Sequence, residues 1–332
     1  MNATARAPRR PREVVEAPEE EELIEAVTRR LGKDVAAAAG ILGRHEGRFL
    51  VSIYYQVQEY RMRLRAQART AAPNAMLTFL GEQVATIERQ CKKALDVWTD
   101  ANPVSKWSKS VCGIGPVLAA GLLAHVDLTE RADPKTGELT RPTVSRLWRF
   151  AGLDPTVKWG RGEQAPWNQK LKVLTWKIGQ SFMKTSGNDE SRYGQLYKKF
   201  KEEEVKRNES GAYAAQARER VSTVGKTTDA HKAYSQGKLP PAHLDGRARR
   251  RVVKLFLAHY FVVAYRYHYR QEPPRAYALD ILKHADEIVA PDAGKQMLGL
   301  PCGAASRSGS AARSSIGTTP PYARQSSRRS TV

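Results

Sequence analysis

The chain reads as an all-α protein: a helical hairpin or coiled-coil-like N-terminal part, then a compact helix-hairpin-helix domain, with disordered termini. Three observations predict this. Apolar residues recur at three- and four-residue steps along two long early segments and one late one. A glycine pair, Gly113-Ile114-Gly115, separates two short apolar runs. No segment carries the period-two alternation of a half-buried strand.

Residues 1–20 pass from proline and arginine to acid and are expected to be disordered. A helical region is expected over 21–99. EELIEAVTRRL opens on acid and closes at Gly32, as helix ends do. HEGRFLVSIYYQVQEYRMRLRAQART places Phe49, Ile53, Val57, Tyr60 and Leu64 on one face. MLTFLGEQVATIERQCKKALDVW does the same with Leu77, Leu80, Val84, Ile87, Cys91, Leu95 and Trp98. Two long antiparallel helices joined at TAAPNA follow, their stripes buried as ordinary core, and they offer a seam for a homo-oligomer.

The helix-hairpin-helix domain is expected over 100–290. It holds a turn-rich excursion from Asp133 to Pro142 and a charged helical insertion at about 189–240, whose acids and bases sit in i,i+3 and i,i+4 relation as on a solvated face. The last strong helix, DGRARRRVVKLFLAHYFVVAYRYHYR, buries Val253, Phe256, Leu257, Tyr260, Val263, Ala264 and Tyr267. Residues 291–332, rich in Ser, Gly, Ala and Arg, are expected to be disordered.

Charge narrows the function. With 55 Lys+Arg against 34 Asp+Glu, the net charge is +21 over 332 residues, and the pI is near 10.0. Such a chain favours a polyanionic partner, because neutralised phosphates release condensed counterions. Cys91, Cys112 and Cys302 form no CxxC pair, which argues against a disulfide framework or zinc ribbon and fits a reducing cytoplasm. No apolar run is long enough for a bilayer and the N-terminus lacks a signal-peptide core, so a soluble cytoplasmic protein without membrane contact is expected. The seven histidines never fall at ligand spacing with Cys or acid, and no metal site is assigned. TVGKTT around Lys226 has the end of a phosphate-binding loop but lacks its earlier glycine, since Arg220 stands there.

The glycine pair is the sharpest feature. A Gly-hydrophobic-Gly turn lets the backbone adopt positive φ and approach a ligand closely. Pro116 then suits a first helical position, and the opening N–H groups of that helix favour an anion. Lys106 and Lys109 flank the turn, so Lys106, Lys109, Gly113, Ile114 and Gly115 form one candidate phosphate site. Lys158 and Arg161, beside Trp159 and Trp167, form a second basic and aromatic segment. Arg247, Arg249, Arg250, Arg251 and Lys254 form a third; four clustered arginines repel unless an anion is near.

The residues after the hairpin carry a resemblance. Gly113-Ile114-Gly115-Pro116, then Leu147, Phe150, Ala151, Gly152, Leu153 and Pro155, then Arg247, Arg249, Arg250, Arg251, Lys254 and Leu255 resemble the C-terminal domain of the insertion-sequence one-ten transposase family, with its one-sixteen and nine-oh-two relatives. The resemblance spans roughly residues 75 to 270, with Cys112 where the family has proline. It implies DNA binding with a role in transposition or recombination at the nucleoid, and a guide-like RNA as a second partner. The family also carries a RuvC-like domain whose acids hold Mg²⁺, and a serine nucleophile about five positions after the GLxP proline. Here that count from Pro155 reaches Gly160, and the leading hundred residues are too few and too helical for such a domain. The expectation is a DNA-binding protein with no catalytic residue assigned and no cofactor in this chain. Mg²⁺ would enter only if a separate catalytic domain acts with it. Ser145, Ser181 and Ser186 are nearby hydroxyls without an evident base.

Overall fold

A computed structural model describes residues 38–72, 74–132, 136–157, 159–160 and 162–274. Both disordered-terminus expectations, the EELIEAVTRRL helix, Cys302, Lys158 and Arg161 lie outside these residues.

The N-terminal hairpin forms as the apolar spacing requires. Helix α1 (Arg44–Ala68) and α2 (Ala75–Asp100) run antiparallel, and Asn74 caps α2 by accepting the N–H groups of Met76 and Leu77. Only the base of the hairpin is core: Val51, Tyr54, Leu95 and Trp98 bury against Ala120 and Ala124 of the fourth helix. Gly47 makes this possible, since a Cβ there would lie 2.1 Å from the Trp98 ring, whose Nε1 donates to the Leu42 carbonyl at 2.9 Å. The expectation that both stripes are buried needs correction. Phe49, Tyr60, Leu80 and Ile87 are exposed, because α1 turns Gly47, Val51 and Tyr54 toward its neighbours instead.

Two short helices follow, α3 (Pro103–Ser110), capped by Asn102, and α4 (Pro116–His125). The excursion after them is bracketed by a two-residue ribbon that the sequence did not predict: β1 (Arg131–Ala132) against β2 (Leu139–Thr140), with Arg131 opposite Thr140. Helix α5 (Val144–Phe150) and α6 (Gln169–Lys184) are capped by Thr143 and Asn168, and a 3₁₀ turn at Thr185–Gly187 leads to α7 (Arg192–Glu209). Helices α8 (Ala214–Val221) and α9 (Asp229–Ser235) precede the long α10 (Pro241–Tyr269). Apart from the ribbon, the protein is all-α.

Helix α10 is the axis of the main core. Phe256, Leu257, Tyr260 and Phe261 are buried among Trp107 of α3, Leu122 of α4, Ile178 and Phe182 of α6 and Tyr193 of α7. Burying each such side chain contributes roughly 1.5–3 kcal/mol. Two glycines set the closest approaches: a Cβ on Gly121 would meet Leu174 at 2.8 Å, and one on Gly179 would meet Val253 at 3.2 Å.

Helix α7 departs from expectation. It is no solvated insertion, for Tyr193, Tyr197 and Phe200 join the main core and Tyr193 shares a 2.7 Å hydrogen bond with His259 Nδ1. Most of its charge runs along the outside, Glu204 being the buried exception, while a period of three and four carries the aromatics inward. The excursion proper is 210–238, whose Tyr213, Ala217 and Tyr234 form a small core with Leu239 and with Leu244 of α10. Asn208 closes its neck, donating to the Leu239 carbonyl at 3.0 Å and accepting the Leu239 N–H at 2.8 Å.

Candidate nucleic-acid interface

The glycine turn is built as its residues dictate. Ile114 N–H bonds to the Val111 carbonyl at 2.9 Å, closing a four-residue turn over Cys112 and Gly113. Gly113 sits at φ 96°, a left-handed value that suits glycine at the third turn position. Ile114 is buried and plugs the turn into the main core. Gly115 corrects the expectation of a second positive φ: at φ −88°, ψ 179° it is extended backbone, exposed, with open space where a Cβ would stand. No side chain caps α4, Pro116 brings no N–H, and Ala119 N–H returns to the Gly115 carbonyl at 3.0 Å. The helix itself therefore offers no acceptor to the N–H groups of Val117 and Leu118.

The flanking lysines divide. Lys106 is exposed and makes no ion pair among the described residues. Lys109 is held by Asp96 at 2.6 Å and Asp100 at 2.7 Å, bracing α3 on the end of α2. Burial works against its charge, but the two carboxylates outweigh it and raise its pKa. Lys109 is thus a structural brace rather than a waiting phosphate ligand.

The arginine cluster of α10 finds its anion inside the protein. Arg247 meets the buried Glu204 at 2.6 Å and covers the Tyr213 ring; Arg251 pairs with Glu203 at 2.8 Å and covers Phe200; Arg249 lies 2.8 Å from Asp245. Arg250 is the exposed member of the four. Lys254 lies over the Trp148 ring at 4.5 Å, and its carbonyl accepts the Trp148 Nε1–H. The inference that this cluster calls for external phosphate fails for three of its arginines: acids 43 to 48 residues away along the chain fold onto Arg247 and Arg251, and Asp245, one helical turn back, meets Arg249.

Beside the undescribed Lys158 and Arg161, Trp159 is half-exposed and packs edge-on to Trp167 at 5.9 Å. Gly160 donates its N–H to Glu163 at 2.9 Å. The Ser181 hydroxyl donates to the Gly113 carbonyl and the Ser186 hydroxyl to the Met183 carbonyl, so both are engaged with backbone. Among the described residues no group of three or more His, Cys, Asp or Glu side chains is placed to hold a metal ion.

One basic surface escaped the sequence reading. The 16 residues of α6, QKLKVLTWKIGQSFMK, hold Lys170, Lys172, Lys177 and Lys184 and no acid. Its buried face is Leu171, Leu174, Thr175, Ile178, Gly179 and Phe182. Lys170, Lys177 and Lys184 recur every seven residues on another face, about 10.5 Å apart along the axis. None of the four lysines forms an ion pair among the described residues, and Trp176 stands 60% exposed beside the row. Ser181, which holds the glycine turn, lies four residues after Lys177 and three before Lys184, so both lysines flank the turn's anchor. The signal available was the missing acid: a lysine-rich helix without carboxylates has nothing local to neutralise it. No helix among the described residues is long and apolar enough to cross a membrane. No protein-family model matches the chain, and no curated protein or solved structure matches it.

Proposed function

We propose that the protein binds duplex DNA through its phosphates and serves DNA transposition or recombination at the nucleoid, without cutting or joining strands by itself. One observation carries the reading: the Gly113 turn, which leads into an uncapped helix N-terminus, accepts a hydrogen bond from Ser181 on a helix with four lysines and no acid. Backbone N–H groups and lysines together make a phosphate cradle that fixes position without reading sequence. Lys106, Lys184, Lys177 and Lys170 are the charged contacts. Three of the four α10 arginines keep their structural partners. The exposed Phe49, Tyr60, Phe79 and Ile87 support pairing of the N-terminal hairpin with that of a second copy.

Fluorescence anisotropy on a random-sequence duplex tests the reading. About four phosphate contacts would cost roughly two decades of affinity between 50 and 200 mM salt. A flat salt response removes it. Structured RNA winning a competition against the duplex would move the partner from DNA to RNA. A covalent protein–DNA adduct trapped with Mg²⁺ under denaturing conditions would show that the chain cuts after all.

A further inference from the structure

A second cationic feature lies apart from the glycine turn, in a cleft of about 270 Å³ between α1, α4 and α6. We propose that this cleft binds a phosphorylated nucleoside, the phosphate on Arg48, Lys170 and Lys177 and the base against the apolar floor.

The charge count comes first. Arg48, Lys170 and Lys177 line the cleft beside the uncharged imidazole of His125, against a single carboxylate, Glu59. Glu59 already pairs with Arg63 at 2.5 Å. Two of the cations are fixed in place without being neutralised. Arg48 donates its Nε–H to the Ala124 carbonyl at 2.7 Å, which anchors the guanidinium and leaves its terminal nitrogens for a ligand. Lys177 rests its ammonium 3.1 Å over the Tyr55 ring. Like charges brought together around a low-dielectric floor repel, and a dianion relieves that repulsion.

His125 reports the same field. It is 6% exposed, and burial, then Arg48, then Lys170 hold its pKa down to about 4. The titratable groups that line the cleft with it are Arg48, Tyr55 and Glu59 from α1 and Lys170 and Lys177 from α6, of which Arg48 and Lys170 act on its charge. The floor is apolar, made by Val51, Val173 and Leu174, the last packed against Gly121 of α4, and Ser52, Gln56 and Gln169 add neutral polar groups to the lining. Ligand clefts run from roughly 300 to 1,000 Å³, so this one suits a single ring system with its phosphate rather than a dinucleotide. Apolar floor and cationic rim together select a phosphate ester of a flat heterocycle over a free anion.

The ligand class follows from this lining alone and goes beyond the duplex reading. Because Lys170 and Lys177 also serve in the proposed duplex surface, the test uses residues belonging only to the cleft. The full-length chain is titrated calorimetrically with AMP, with inorganic phosphate and with adenosine. AMP is expected to bind at least tenfold more tightly than either part. Ser52→Phe, which fills the cleft without changing charge, is expected to cost AMP binding at least tenfold and leave the salt slope of duplex binding unchanged. On the unmodified chain, saturation with AMP is expected to raise the His125 pKa from about 4, read by NMR, so the test survives a variant that fails to fold. A 5′-phosphorylated trinucleotide competing more tightly than AMP identifies a single strand as the source, and the reverse order identifies free nucleotide. AMP binding no tighter than phosphate, or a His125 pKa that stays put, overturns the proposal. Loss of duplex salt dependence with AMP binding intact would instead sink the duplex reading alone.

Discussion

The Ser181 hydroxyl donates a 2.5 Å hydrogen bond to the carbonyl of Gly113, tying the tip of the glycine turn to the last turn of α6. A Cβ on Gly113 would stand 3.1 Å from that same oxygen. Hydroxyl and turn therefore fit as one unit. Ser181→Ala is expected to cost about 1 kcal/mol of stability, the worth of one part-buried hydrogen bond. Duplex binding should fall modestly with no change of salt slope, since no charge is lost. Chemical denaturation and anisotropy check both; an unchanged midpoint would mean the bond carries nothing.

The two turn glycines should respond in opposite ways. Gly113→Ala forces an L-residue to φ 96° and crowds Ser181, so a loss of about 1–3 kcal/mol is expected. Gly115→Ser meets open space and ordinary extended backbone. Its hydroxyl would cap α4 and add roughly 0.5 kcal/mol or less. The same cap occupies the N–H groups that a phosphate needs, so Gly115→Ser should raise the melting temperature while weakening duplex binding. Tighter binding by this variant would exclude the helix terminus from the interface.

Glu204 gives a pH prediction. Burial opposes its charge, but hydrogen bonds from Tyr213 and Arg247 outweigh burial and hold its carboxyl below the usual carboxylate value. A depressed carboxylate stabilises the fold fully above the unfolded pKa and loses that contribution as pH falls through the folded one. Acid unfolding followed by circular dichroism should therefore show a step below pH 4.5 that Glu204→Gln abolishes. At neutral pH that variant is expected to cost about 3 kcal/mol, as a buried pair broken on one side does.

Basic residues should sort by partner. Lys184→Gln removes an exposed charge that forms no ion pair among the described residues, so the salt slope of duplex binding should fall by about 0.9 with stability unchanged. Arg251→Gln breaks the pair with Glu203 and uncovers Phe200, and its effect should appear in the melting curve instead. If Arg251→Gln lowers the slope and Lys184→Gln does not, the α10 cluster is the interface.

For the hairpin, Phe79→Glu with Ile87→Glu changes two exposed positions, 48% and 50% accessible. Light scattering of the parent chain is expected to give a dimer or larger, and of the double variant a monomer. A parent chain that is monomeric at tens of micromolar ends the oligomer reading.

The helices were legible because their determinants are local. Val253, Phe256, Leu257 and Tyr260 repeat at helical spacing and do lie in the core, and Gly113 takes the left-handed value its turn requires. What stayed hidden depends on distant partners. Nothing near Arg247 in the chain announces Glu204, which reaches it only because α7 packs along α10. Lys109 looks free until the end of α2 brings Asp96 and Asp100 beside it. The exposure of Phe49 was equally hidden, since periodicity names a face without saying which neighbour covers it.

The side-chain amide of Asn208 meets both backbone groups of Leu239, so the chain leaves and re-enters the main body of the fold at a single gate. Whatever lies between is topologically a side branch. Lengthening such a branch costs little, about 0.6 kcal/mol for each doubling of loop length, because its ends are already held together. The main core can therefore keep its packing while this segment changes in size, so long as Tyr213 keeps its hydrogen bond to Glu204. Descendants of this fold can acquire new surface at the Asn208 gate without renegotiating the interior.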